Sequence, residues 1–457
     1  MGKIATDFKS QLERTNFADA RSWFEESAHL QATSPENLKP VADDHYFRSF
    51  ELSREELDEY RDAGLAAISR GEVAALVLAG GQASRLGSSQ PKGTVPLGIA
   101  TSSPDCLLGI QAAKISALQR LAAKKFPGTD PKIQWVIMTS QGTEKTTRDF
   151  VDTLIKNYNF DSNQVTMFNQ DEIAAYDLEG NFLLAEFGKL VTAPNGNGGL
   201  YSALSPYLPE LRKKGVKYFH VYCVDNILCK VADPHFLGMS IVKKADVATK
   251  TVPKTVGELV GSVCLDNGKP RVVEYSELGA ELAELKSADG KFLFGAGSIA
   301  NHFFTIDFLD RVCSPSMRLP YHRALKKISH LDKNGDLVKP DKPNAIKLEQ
   351  FVFDVFEHSE NFYIWEVNRA EEFSPLKNAE STGKDCLSTC LRDLAAVDKK
   401  WLEDVGVKTT SEKPLYLLAD VSYDGEGLEE LRDRQIRPED VESDETLQKF
   451  FPKRPTA

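Results

Sequence analysis

Four loops in this chain combine residue types that can hold phosphates and sugars. The first, "LAGGQASRLG" at 78–87, runs on through "SSQPKG" at 88–93. It sets Gly80 and Gly81 after an apolar run, then Arg85 and Lys92, with Ser84, Ser88 and Ser89 as hydroxyl donors. Glycine lets a backbone approach a base or phosphate closely, and the two cations supply positive charge. The spacing is neither GxGxxG nor Walker A, and the glycines alone also fit a tight surface turn. The second loop, "APNGNGGLYSAL", carries three glycines and two asparagines before an expected helix. Backbone of positive φ at a helix start can present N–H groups to a polar ligand, and a simple turn with an N-cap fits equally. The third, "HVYCVDN", ends an apolar strand on Asp225. A carboxylate there is a natural Mg²⁺ ligand shared with substrate phosphates, or else a cap for the next helix. The fourth, "EEFSPLKNA", sets Lys377 in an otherwise uncharged turn after Glu371 and Glu372. Alone, such a lysine also reads as solvated surface.

Other chemistries lack their residues. "DKNGDLVKPD" imitates a calcium loop, but its Gly335 stands at the fourth position, not the sixth, so a turn is expected. The 8 histidines form no HExxH, and there is neither a GxSxG elbow nor a convincing Cys/His pair.

These loops need a frame. "VAALVLAGG" from Val73 is a short continuous apolar run, which suits a strand buried on both faces. "LLGIQAAKISALQRLAAKKF" has helical periodicity and stops at Pro127-Gly128. "KIQWVIMTS", "QVTMFNQ", "KYFHVYCVDN" and "ADVATKTV" are strand-like, and "TEKTTRDFVDTLIKNY" is helical. Alternating strands and helices predict a Rossmann-like, parallel α/β sheet, at whose strand carboxyl ends ligands bind. "GSVCLDNGKPRVVEY" predicts a hairpin about Asn267-Gly268. Upstream, Ser53 and Glu56 fit a capping box and Leu52 and Leu57 a hydrophobic staple, so the start of the chain reads as a helical cap. The expected division is an amino-terminal helical part at 1–72, a central domain at 73–378 and a small carboxy-terminal unit at 379–457.

The 457 residues carry a net charge of -11, which argues against nucleic-acid binding through a basic surface but allows a local phosphate pocket. The 7 cysteines are scattered, without CxxC; "CLSTC" at Cys386 and Cys390 comes nearest, and reduced cytoplasmic thiols are expected. No apolar run suits a bilayer span and no signal peptide is read, so no membrane role is expected. "MGKIAT" fits the loose myristoylation pattern with Gly2 and Thr6, but nothing nearby supplies a second anchor.

Taken in order, "LAGGQASRLG…PKG", "APNGNGGLY", "VYCVDN", "VVEYSE", "ANHFF", "KLEQFVFDVF" and "EEFSPLKNA" resemble the eukaryotic UDP-N-acetylhexosamine pyrophosphorylases. The likeness runs from about Leu52 to "SYDGEGLEEL"; UDP-glucose pyrophosphorylases look less similar in the first loop and the sugar-side segments. The resemblance implies a nucleotidyltransferase domain of glycosyltransferase-A type, a mixed α/β sheet with an amino-terminal helical part and a small β-rich carboxy-terminal part. It implies that UTP and N-acetylglucosamine 1-phosphate become UDP-N-acetylglucosamine and pyrophosphate, with Mg²⁺. Carried over by motif, Leu78, Ala79, Gly80 and Gly81 would cradle the uridine, and Gln170 in "MFNQ" and Gly196 would complete the uracil pocket. Asn197 would face the sugar, and Asp225 the α-phosphate and its metal. Glu274, Tyr275 and Asn301 would hold the sugar, and Lys347 and Lys377 would face phosphates. Since the sugar phosphate is itself the nucleophile, the missing Ser, Cys or His attacker is expected. The work is in-line positioning and charge neutralisation, with Arg85 and Lys92 on the leaving pyrophosphate and Lys377 at the α-phosphate.

Two departures stand out. The family usually reads Gly-Thr before the arginine, where this chain has Ala83-Ser84; a β-carbon at positive φ would cost roughly 1 kcal/mol or more. After "PKG" the chain has Thr94, Val95 and Pro96 instead of a large residue and an acid. Both put rate and UTP affinity in question more than the sugar. The alternatives are the same reaction with N-acetylgalactosamine 1-phosphate or glucose 1-phosphate, and a catalytically weak uridine-nucleotide-binding paralogue.

Overall fold

The structure, a computed structural model, describes residues 17–29, 34–99, 105–258, 260–288, 290–409 and 413–452. The acylation pattern at Gly2 and Thr6 lies outside them. Among the described residues the centre is an eleven-stranded mixed sheet. Its strands are β1 (Leu38–Lys39), β2 (Tyr46–Arg48), β3 (Val73–Leu78), β4 (Gln134–Thr139), β5 (Val165–Asn169), β6 (Tyr218–Cys223), β7 (Val247–Pro253), β8 (Ser262–Asp266), β9 (Lys269–Val273), β10 (Ala296–Thr305) and β11 (Phe362–Glu366). The main order is β2-β11-β7-β10-β6-β3-β4-β5, and β8 pairs with β1, β9 and β10. Strands β6, β3, β4 and β5 run parallel, and every residue of β3 and β4 is buried. The expected parallel half is therefore present. It is made mixed by β10, which enters antiparallel between β6 and β7 and carries a bulge opposite Thr249–Thr251, where Ala300 takes φ 49°.

Helices α1 (Phe17–Ala28), α2 (Arg54–Ser69), α3 (Leu107–Lys125), α4 (Glu144–Asn157), α5 (Pro234–Val242) and α6 (Leu387–Asp404) are the long ones. Ser53 and Glu56 close the expected capping box on α2, and Leu52 and Leu57 both pack on the core. The sheet separates two apolar layers. One holds α2, α3 and α5; the other holds the helices Leu200–Leu204, Leu208–Lys213 and Ile306–Val312. The hairpin turns where Asn267 (φ 51°) and Gly268 (φ 80°) take left-handed backbone, and "DKNGDLVKPD" is a turn between two short strands. The amino-terminal stretch does more than cap, since β1 and β2 extend the central sheet at its margin.

The carboxy-terminal unit corrects the β-rich expectation. Its described residues form the 18-residue α6, short 3₁₀ turns and one ladder of two-residue strands. Leu402, Leu428, Leu431, Ile436 and Phe451 make it a small core of its own. Its sequence has the apolar content for a core but no alternating runs long enough for strands. Among the described residues, no helix is long and apolar enough to cross a membrane.

Candidate active site

The first loop closes on itself. Gln82 pairs with Pro91, Ala83 N–H donates to the Gln90 carbonyl (2.9 Å), and Lys92 N–H to the Gly81 carbonyl (3.0 Å). This fold-back leaves Arg85 exposed on the tip and carries Lys92 to the base, where its Nζ stands 3.5 Å from Asp225 Oδ2. Ala83 is buried with φ −84°, so the expected left-handed strain at this departure is absent. Gly87, one turn on, takes the left-handed conformation instead, at φ 77°. At the second departure Thr94 is buried and donates to the Pro91 carbonyl, so it stabilises the loop from within.

Asp225 follows β6 directly. The helix-cap alternative fails here, because the next long helix, α5, is capped by Asp233. Instead Asp225 meets the fourth loop through the backbone: Leu376 N–H donates to the Asp225 carbonyl (2.8 Å), and Asn226 bridges to Pro375. Lys377 thereby arrives beside Asp225, with its Nζ 5.9 Å from the Phe373 ring centre. All three groups act on the Cys223 thiol, which is pushed up to about 12 by burial, then by Asp225, against the opposing pull of Lys377 and Lys92. It is thus no nucleophile at neutral pH. Lys92, Asp225 and Lys377 thus gather around the end of β6, while Arg85 stays on the exposed tip of the first loop.

The start of the first loop makes an equally specific contact with Gln170. Gly80 has no room for a β-carbon, because the Gln170 amide nitrogen occupies that place. Gln170 is 8% exposed and its Oε1 is buried with no hydrogen-bond partner among the described residues. A buried, unpaired amide oxygen costs free energy until a donor reaches it. Leu78 and Ala79 are buried behind it, with Ala79 N–H bonded to the Met138 carbonyl, and Gly81 is open to solvent. Ser140, which the sequence reading passed over, donates from Oγ to the Gly80 carbonyl (2.8 Å). Its place in "MTSQG", just past a strand end, was the available signal.

The second loop behaves differently from expectation. Of its glycines only Gly196 has positive φ (80°), and its N–H neighbour Gly198 already donates to the Gln350 carbonyl (2.9 Å). A β-carbon on Gly196 would come 2.6 Å from that carbonyl oxygen, so packing against "KLEQF" requires the glycines. Asn197 accepts from Val352 N–H (2.9 Å), which fixes its carboxamide. Gln350, also overlooked, accepts from Asn195 Nδ2 (2.8 Å) and ties these segments together.

Glu274 caps the single turn Tyr275–Leu278, and burial, then Glu277, raise its carboxyl above the usual range. Lys254 stands 6.0 Å from the Tyr275 ring centre. Two further residues have protein partners of their own. Asn301 is 3% exposed; its Oδ1 accepts from His220 Nε2 (2.6 Å) and its Nδ2 meets Cys229 Sγ (3.6 Å). Its neighbours belong to the layer under α2 and α5, and its side chain is a buried polar bridge. Lys347 lies on the strand Ala345–Glu349 and is paired to Glu349 at 2.7 Å. In both cases strand register decides the direction, and a motif does not reveal which face a residue takes.

A mixed sheet with lysines and a carboxylate gathered at one strand's carboxyl end is the arrangement of a nucleotidyltransferase. The chain belongs to the UTP–glucose-1-phosphate uridylyltransferase family, whose model matches residues 15–418. It is 64% identical over 444 residues to a Caenorhabditis elegans protein named "Probable UDP-N-acetylglucosamine pyrophosphorylase", covering 96% of this chain and 92% of that one. It is 40% identical to the UDP-N-acetylglucosamine pyrophosphorylase of Saccharomyces cerevisiae, over 82% of this chain and 79% of that one. The solved uridine diphosphate N-acetylglucosamine pyrophosphorylase of Trypanosoma brucei superposes with a TM-score of 0.77 at 27% identity, covering 90% of this chain and 84% of that one.

Proposed function

We propose that this protein is a uridylyltransferase that forms UDP-N-acetylglucosamine and pyrophosphate from UTP and N-acetylglucosamine 1-phosphate. The observation that supports the reading is that Lys92 pairs with Asp225 while the Lys377 turn is bonded to the Asp225 backbone, with Gly80 at the start of the same first loop packed against Gln170. In this reading uracil supplies the donor that Gln170 Oε1 lacks, and Gly80 and Gly81 let the ring lie against the backbone. A phosphate oxygen of the sugar phosphate attacks the α-phosphorus of UTP; the bond to the β-phosphate oxygen breaks, and pyrophosphate leaves with that electron pair. Lys92 and Arg85 hold the pyrophosphate, and Lys377 offsets the charge building on the α-phosphate. Glu274 and Tyr275 line the sugar side, with Gly196 and Asn197 closing the pocket.

Asp225 fits Mg²⁺: it is a half-buried carboxylate at the phosphate cluster, and a single carboxylate shared with phosphates and water is how this ion is often held. Among the described residues no group of three or more His, Cys, Asp or Glu could hold an ion without a substrate. When bound, the ion would neutralise phosphate charge. The seven free cysteines support a reducing, cytoplasmic setting.

The test is pyrophosphate release from UTP with Mg²⁺, offering N-acetylglucosamine 1-phosphate, its galactosamine analogue and glucose 1-phosphate in parallel. The expected outcome is fastest release with N-acetylglucosamine 1-phosphate and a loss of about 100-fold or more in Lys377→Ala. Faster release with glucose 1-phosphate would overturn the sugar assignment. Tight UTP binding without release from any sugar would point to the nucleotide-binding paralogue.

A further inference from the structure

The Lys377 turn is tied by backbone to Asp225 through Leu376 N–H (2.8 Å) and to Asp385 through Lys377 N–H (2.7 Å). One side chain, Asn226, adds a second tie just before Lys377. Its Nδ2 donates to the Glu372 carbonyl (2.7 Å), and its Oδ1 accepts from Ser374 N–H (2.9 Å) and Leu228 N–H (3.3 Å). One carboxamide thus clamps both ends of the approach to Lys377 onto the Asp225 turn, and Ile227 N–H adds a bond to the Ser374 carbonyl (3.2 Å). Behind it, the Glu372 side chain is paired with Lys250, whose side chain is 0% exposed. Lys250 also binds Asp233 Oδ2 at 2.6 Å, and Lys230 reaches Glu372 at 3.7 Å and Asp424 at 2.9 Å. A buried ion pair rarely earns its place through stability, because a hydrophobic group of similar volume often does as well. Here the pair instead anchors Glu372, and through it the turn.

We propose that Asn226, braced by the buried Glu372–Lys250 pair, is a positioning residue that sets where Lys377 stands relative to Asp225. The proposal rests on the role given to Lys377 above. Asn226 touches no reacting atom. It acts by holding the Lys377 turn in register, and a displacement of about 1 Å at a phosphate can cost on the order of 100-fold in rate.

The experiment is a double-mutant cycle in the full chain, reading kcat and the KM for UTP from pyrophosphate release. Asn226→Ala is expected to lower kcat about 30-fold while KM for UTP stays within about threefold. In the Lys377→Ala background the same change is expected to add less than about threefold, because the group it positions is already gone. Asn226→Asp keeps the acceptor but loses the donor to Glu372, and is expected to fall between. Should Asn226→Ala not fold, Asn226→Asp carries the cycle. Full additivity in the Lys377→Ala background, or a wild-type kcat in the Asn226 variant, would overturn the positioning role. A Lys377→Ala enzyme with unchanged kcat would instead overturn the role of Lys377 itself.

Discussion

At the scale of single residues, the contact between Gly80 and Gln170 makes the sharpest demand. A β-carbon at position 80 meets the end of a flexible amide, so Gly80→Ala displaces Gln170 more readily than it disturbs the backbone. The expected result is a KM for UTP raised about tenfold with a thermal midpoint little changed. An unchanged KM would remove Gln170 from the base pocket. Ala83 shows the opposite case. It departs from the family's glycine but adopts an ordinary conformation and is buried, so Ala83→Gly is not needed to restore activity. The residue type was legible in the sequence; the φ angle that makes it harmless was not.

At the scale of elements, the crossing of α2 and α5 determines how closely the helical layer seats on β7 and β10. The β-carbon of an alanine at Gly238 would run into the Tyr60 carbonyl, and one at Gly64 into Pro234 backbone. Backbone cannot swing aside as a side chain can, so the helices must separate. Gly238→Ala is expected to destabilise by about 3 kcal/mol, as overpacking does, measured by denaturant unfolding. A loss of only a few tenths would show that the helices can slide. The same layer holds His220, which accepts the Ala232 N–H at Nδ1 (2.8 Å) and bridges to Asn301 at Nε2. Burial, then Lys250, lowers its pKa to about 3, so it stays neutral there.

At the scale of the molecule, the carboxy-terminal unit is joined to the central domain by Tyr423 Oη donating to the Val231 carbonyl (3.0 Å) and by Lys230 to Asp424. Asp398 is buried at this junction, accepting from Leu417 N–H (2.9 Å), and burial pushes its carboxyl up to about 7. In the unfolded chain the same group titrates near 3.8. Between these values the folded state binds the extra proton, so this group's contribution falls as pH rises from about 4 to about 7 and then levels. Asp398→Asn removes that slope. Its thermal midpoint is expected to gain on the wild type across this window and to keep a constant lead above it. A gap that does not change between pH 5 and pH 7 would show that Asp398 is ionised throughout.

What the sequence determined by itself is what neighbouring residues decide among themselves. The continuous apolar run of β3, the Ser53–Glu56 capping box and the Asn267–Gly268 turn need only local spacing, and each is found where its pattern lies. The first loop was legible for the same reason, since its fold-back joins residues close in the chain. Tertiary structure alone decided the rest. Lys377 reaches Asp225 only because a distant turn pairs with the end of β6. Asn301 is turned into the core, and Lys347 toward Glu349, by strand register. The carboxy-terminal unit closes with turns and one helix because its apolar residues find partners across loops, not along strands. Side-chain direction and long-range pairing depend on which surfaces meet, and no local spacing encodes that.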